Sequence, residues 1–158
     1  MQVKRSLRHP DALLATWFGA GLAPKAPGTF GSLAVLPFGY LAAIAAGPAG
    51  LLALALLIFA IGLWAAERYV RQTGDPDPKE VVIDEAAAQL LPLAVAPVDP
   101  VAWLAAFLLF RLFDVLKPWP CNYLDRNFKG GVGVMADDGA AGLYALLCMV
   151  ALAELGAW

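Results

Sequence analysis

Histidine and cysteine are nearly missing from this 158-residue chain, which has one histidine, His9, and two cysteines, Cys121 and Cys148. Two cysteines make neither a disulfide framework nor a zinc site, and they read as reduced thiols. His9 lies near a terminus and reads as a surface residue, so a phosphatase mechanism built on imidazole is excluded. A cysteine phosphatase needs Cys-x5-Arg. Cys121 and Arg126 have four residues between them, in acidic surroundings that disfavour a thiolate. Charge is also scarce, at 15% of residues against 61% apolar. The 11 cations and 13 anions leave a formal charge of −2, with no basic stripe of the kind nucleic acid demands, so no nucleic-acid partner is expected. No GxxxxGK[ST] phosphate loop occurs. Asp75-Pro-Asp77 sits in a polar loop and does not follow an apolar strand, unlike the nucleophile of aspartyl-phosphate enzymes. For phosphate chemistry, what remains is water or an aspartate as nucleophile, activated by a metal.

Apolar sequence is abundant. A mean hydropathy of +0.69 and twelve prolines among long Ala/Leu runs predict a small polytopic membrane protein, an all-α helical bundle forming one domain over residues 1–158. Residues 49–66 are an unbroken apolar run of eighteen residues ended by Glu67-Arg68. At ~1.5 Å per residue such a run nearly crosses a bilayer core of ~30 Å. Shorter runs cover 33–46, 86–98, 101–110 and 140–153, with turn signals at Gly47-Pro48 and Pro97-Val-Asp-Pro100. The basic start of the chain is followed by only a short apolar stretch, so no cleaved signal peptide is expected. Lys4, Arg5, Arg8 and Lys25 precede the first run. Arg68, Arg71 and Lys79 lie between the second and third, and Arg111, Lys117, Arg126 and Lys129 between the fourth and fifth. An N-in, five-pass path puts all of them on the cytoplasmic face, together with every polar motif. The third and fourth runs can alternatively form a re-entrant pair.

Three polar groups interrupt the apolar background. Lys25-Ala-Pro-Gly28-Thr29-Phe-Gly31-Ser32 reads as a loop whose glycines let backbone N–H groups approach an anion, with hydroxyls from Thr29 and Ser32 and a helix starting at Ser32 or Leu33. Its plainer interpretation is a Pro/Gly turn entering a membrane helix. Asp84-Glu85 stand at a helix start, with Asp84 expected as N-cap. With no solvated face after them, they look more like metal ligands than a cap. Arg111, Asp114 and Lys117 are spaced i, i+3, i+6 along one helix face. They are followed by Pro118-Trp-Pro120, which stops the helix, by Asp125-Arg126 and a turn at glycines 130, 131 and 133 that bring the chain back, and by Asp137-Asp138, expected at a second helix N-terminus. Surface salt bridges would be the bland explanation. So many opposite charges at a membrane face point instead to one or two Mg²⁺ ions opposite a phosphate.

Lys25-Ala-Pro-Gly-Thr-Phe-Gly-Ser32, Val82-Ile-Asp-Glu85, Arg111-Leu-Phe-Asp-Val-Leu-Lys-Pro-Trp-Pro120 and the segment from Asp125 to Asp138, with Ala141-Gly142, together resemble the phosphatidylglycerophosphatase A family. The resemblance covers nearly the whole chain. One departure is Ala88, where the family pattern Asp-Glu-x-x-Gly has glycine. The resemblance implies a Mg²⁺-dependent lipid phosphatase of the bacterial inner membrane that converts phosphatidylglycerophosphate to phosphatidylglycerol, with a phospholipid substrate and the bilayer as partners. Asp84, Glu85, Asp137 and Asp138 are then the first expected Mg²⁺ ligands, with Asp114 and Asp125 next. Lys25, Arg111, Lys117 and Arg126 are expected on phosphate oxygens, aided by Thr29 and Ser32. Asp84, Glu85, Asp114, Lys117 and Asp138 are the expected catalytic set. Two other functions use the same residues: a phosphatase for another lipid or prenyl phosphate, and a small transporter whose intramembrane charges line an ion path. Clustering of the charges at one face disfavours the transporter.

Overall fold

The computed structural model describes residues 7–158, so Lys4 and Arg5 lie outside the described residues. The helices are α1 (Pro10–Ala15), α2 (Pro27–Ala34), α3 (Leu36–Thr73), α4 (Ile83–Leu93), α5 (Pro100–Leu116), α6 (Cys121–Asn127) and α7 (Gly130–Glu154), with a 3-10 turn at Ala20–Leu22. No strand occurs among the described residues, and the all-α bundle expected from composition is what forms. Proline opens α2 and α5, where its missing N–H costs nothing. Asp99 caps α5 by accepting from the backbone N–H groups of Val101 and Ala102 at 2.9 and 3.0 Å.

The expected turn at Gly47-Pro48 is a break inside α3. Ala46 and Gly47 leave the helical region, Gly47 with a φ of +57°. A Cβ on Gly39 would lie 3.5 Å from Leu51 Cδ2. In a straight helix those positions are ~18 Å apart, so the two arms of α3 fold back on each other. Two apolar helical stretches, Pro27–Thr73 and Gly130–Glu154, are long and apolar enough to cross a membrane.

The third expected crossing differs. α4 ends at Leu93 after 11 residues, a length of about 16 Å, or half a bilayer core. Residues 94–99 then turn the chain into α5. This matches the re-entrant alternative better than two full crossings.

α4 is the centre of the bundle. Nearly every residue from Ile83 to Leu93 is buried, packed between α3 and α7. Small residues permit this. A Cβ on Gly142 of α7 would stand 2.7 Å from the Ala88 carbonyl oxygen, and 3.2 Å from the Ala88 methyl group. The family's usual glycine at 88 is therefore replaced by a methyl that fits only because its partner on α7 is itself glycine.

The bundle has an apolar core, but its exterior is also apolar and its interior holds carboxylates, unlike a water-soluble protein. Leu41, Ile44, Leu56, Leu104, Leu108 and Leu147 are 56–70% exposed, whereas Asp84, Asp114, Asp137 and Asp138 are at most 9% exposed. An apolar exterior around buried carboxylates is stable in lipid and unfavourable in water.

Candidate active site

The carboxylates converge where α4, α5 and α7 meet. Val82, not Asp84, is the N-cap of α4, so Asp84 and Glu85 lie within the first turn, and neither side chain is spent on capping. Asp137 and Asp138 also differ from expectation, because they stand two turns inside α7 and not at its start. The glycines at 130–133 form helix because α3 supports them: Glu67 accepts from the Gly131 N–H at 2.8 Å, and a Cβ on Gly131 would lie 2.6 Å from the Glu67 nitrogen. Both carboxylate pairs therefore project from rigid, buried helix.

One oxygen from each of Asp84, Glu85 and Asp138 lies within 4.8 Å of the other two. Asp84 Oδ1, Glu85 Oε2 and Asp138 Oδ2 are buried without a hydrogen-bond partner among the described residues. Such oxygens are expensive to desolvate unless something positive shares them. A divalent ion with ligand distances of ~2.0–2.6 Å could draw the three together with little movement. The donor set is all oxygen, which suits a hard cation such as Mg²⁺.

The other expected ligands, Asp114, Asp125 and Asp137, each pair one oxygen with a cation. Asp114 is ion-paired to Arg111 one turn earlier on α5. Lys117 ends α5 in a left-handed conformation, with φ of +45°. That turn sends its ammonium across to α7 and α6, 2.8 Å from Asp137 Oδ2 and 3.0 Å from Asp125 Oδ1. Burial opposes the lysine's charge, but hydrogen bonds and attraction from Asp137 and Asp125 outweigh it and raise its pKa well above the ordinary lysine value. Burial, reinforced by Asp137, pushes the Cys121 thiol up, in line with the exclusion of a cysteine nucleophile.

A cavity of about 240 Å³ opens onto this cluster. Its walls include Asp84, Glu85, Asp114, Asp137 and Asp138, with Lys117 beside them and Gly28 opposite. Gly28 belongs to α2, which begins at Pro27, five residues before the expected helix start. The expected anion-binding loop is thus largely helix. Ser32 donates its hydroxyl to the Gly28 carbonyl at 2.9 Å and is buried, so it is engaged with its own helix and not with the cavity. Thr29 is half-buried, Lys25 and Arg126 are exposed, and none of the three is among the cavity-lining residues. Sequence reasoning missed Asp77 and Lys79, which line the cavity from the loop between α3 and α4. Their signal was the position of Gly74-Asp-Pro-Asp-Pro-Lys79 immediately before Asp84.

A second, larger cavity of about 440 Å³ lies among α3, α4, α6 and α7. Ala87, Ala88 and Leu91 line it from α4, and Ala136, Gly139 and Leu143 from α7. These positions begin within one turn of Asp84 and directly flank Asp137-Asp138.

The fold and site define a small helical membrane protein with a buried acidic pocket, partly balanced by fixed cations. The phosphatidylglycerophosphatase A family model matches residues 13–153. Phosphatidylglycerophosphatase A of Escherichia coli K12 is 39% identical over 139 residues, covering 87% of this chain and 80% of that protein. Phosphatidylglycerophosphatase A of Haemophilus influenzae is 39% identical over 150 residues, covering 94% of this chain and 92% of its own length. A Bacteroides thetaiotaomicron protein, provisionally named a phosphatidylinositol-3-phosphatase, is 40% identical over 156 residues, covering 90% of this chain and 92% of its own. No solved structure matches the chain. The chain belongs to the phosphatidylglycerophosphatase A family, and with it to the phosphoric monoester hydrolases.

Proposed function

We propose that this protein is a Mg²⁺-dependent phosphatidylglycerophosphate phosphatase of the bacterial inner membrane, with its site facing the cytoplasm. The observation that carries this is the meeting of three carboxylates, two buried and one half-buried, each with an unsatisfied buried oxygen, in one cavity that Lys117 also lines. Asp84, Glu85 and Asp138 would hold the ion. Bound Mg²⁺ would supply charge neutralisation at the phosphoryl group and a more acidic water. Asp114 orients the Arg111 guanidinium, and Asp125 and Asp137 orient the Lys117 ammonium. Lys117, which lines the cavity, can then take a phosphoryl oxygen without reorganisation when charge develops there, while Arg111, outside the lining and near Gly28, adds positive charge behind the cluster. Asp137 pairs with Lys117 and lies outside the trio whose oxygens converge, so its assigned part is to position that cation. The apolar cavity beside α4 and α7 gives the lipid's hydrocarbon a place next to the reacting headgroup.

The test is phosphate release by purified protein from lipid phosphates in mixed micelles. Phosphatidylglycerophosphate is expected to turn over with Mg²⁺, to fall at least 100-fold with chelator and to recover when Mg²⁺ is restored. Because one relative carries a phosphatidylinositol-3-phosphatase name, phosphatidylinositol 3-phosphate belongs in the panel. A preference for it would keep the chemistry and change the substrate, and solute flux without phosphate release would favour the transporter. Filling the apolar cavity gives a second check. Ala140→Leu, on the α7 wall of that cavity, is expected to lower kcat/KM about tenfold for a long-chain substrate and to affect a dihexanoyl analogue much less.

A further inference from the structure

Two cations near the reacting centre are already committed. Arg111 is paired with Asp114, and Lys117 is shared by Asp125 and Asp137. Lys79 is different. It lines the same cavity from the rim, is exposed, and has no carboxylate within ion-pair distance among the described residues. Its loop is well braced. Pro78 is buried and accepts from the Val81 N–H at 3.0 Å, and the Asp77 N–H donates to Asp75 Oδ1 at 3.0 Å. Asp77 lines the cavity two residues before Lys79, so the same loop offers the cavity one carboxylate and, beyond ion-pair distance of it, one uncommitted ammonium.

This pairing fits a headgroup richer than a bare phosphate. If the monoester sits at Asp84, Glu85 and Asp138, a headgroup that extends through the mouth of this cavity before its acyl chains turn toward the bundle's apolar face passes Asp77 and Lys79. We propose that residues 77–79 are the headgroup-reading element of this enzyme: Lys79 takes the phosphodiester of the substrate, and Asp77 accepts a hydroxyl from the polyol between the two phosphates. The inference rests on the lipid phosphatase assignment above and adds a specificity determinant to it. A carboxylate on the rim also disfavours a second dianionic group there, so a singly charged diester next to a hydroxyl is the better match. Lys79 acts on binding and makes no contact with the transferring phosphoryl group.

The experiment separates the two phosphates by using lipids that carry only one. Phosphatidylglycerol has the diester and the polyol without the monoester, and phosphatidic acid has the monoester alone. Each is measured as an inhibitor of phosphatidylglycerophosphate turnover in mixed micelles, for wild type, Lys79→Gln, Lys79→Arg and Asp77→Asn. Lys79→Gln is expected to raise the KM for phosphatidylglycerophosphate about tenfold and to weaken inhibition by phosphatidylglycerol by a similar factor. Inhibition by phosphatidic acid should shift less than twofold, and Lys79→Arg should restore most of the loss. Asp77→Asn should weaken phosphatidylglycerol in the same selective way. Equal shifts for both inhibitors, or none for either, overturn the inference while leaving the phosphatase assignment intact. Failure of the wild type to release phosphate from phosphatidylglycerophosphate overturns both.

Discussion

Asp138→Asn is expected to lower kcat/KM for phosphate release by about 10³-fold or more, ~4 kcal/mol of transition-state stabilisation, while making the protein harder to melt in chelator. The two effects have one cause. Asp138 is buried deep in α7, with one oxygen lacking a partner, and it shares its surroundings with Asp84 and Glu85. Without a cation, three carboxylates at this separation repel one another in a low-dielectric site, and asparagine keeps the shape while removing the charge. Folding gains, and the ion loses a ligand. The check is a melting curve in detergent, with chelator and with Mg²⁺, alongside phosphate release. Wild type should gain more thermal stability from Mg²⁺ than the variant does, and the variant should melt higher than wild type in chelator. Full turnover by the variant, or an unchanged response to Mg²⁺, would falsify the ligand assignment.

Gly28→Ala is expected to cost about 100-fold in kcat/KM with only a modest loss of stability, about 1–3 kcal/mol. Gly28 faces the Glu85 carboxylate so closely that a Cβ would overlap it, and would stand 3.2 Å from the Arg111 guanidinium. The methyl group must therefore push the Glu85 carboxylate off its place in the cavity wall or move the helix that bears it. Gly31→Ala is the matched control. Its Cβ would press on the Val82 side chain, 2.7 Å away, and not on a carboxylate. Both variants should melt lower, but Gly31→Ala should lose less than tenfold in kcat/KM per folded molecule. Equal activity losses would mean that α2 matters only as packing.

These glycines also show where the sequence was misleading. The apolar runs, the turn at Pro97–Pro100 and the convergence of Asp84-Glu85 with Asp137-Asp138 were legible, because hydropathy and scarce charge are strong signals in so apolar a chain. The two glycine-rich stretches around residues 28–31 and 130–133 read as loops, since glycine in isolation weakens a helix. Tertiary contact reversed that preference: Val82 and Glu85 demand close approach from α2, and Glu67 both caps and crowds the start of α7. Pairing of Lys117 with α6 and α7 was equally hidden, because the left-handed turn at Lys117 takes it off the α5 face that its i, i+3, i+6 spacing implied. Asp77 and Lys79 escaped notice because a proline-punctuated loop gives no periodicity from which to place a side chain.

The exposed leucine exterior has a kinetic consequence. An enzyme embedded through such a surface meets its substrate by lateral diffusion within a film, so what governs its velocity is the mole fraction of substrate among neighbouring amphiphiles. Diluting the film with inert detergent at constant total substrate should therefore slow the reaction, whereas adding buffer should not.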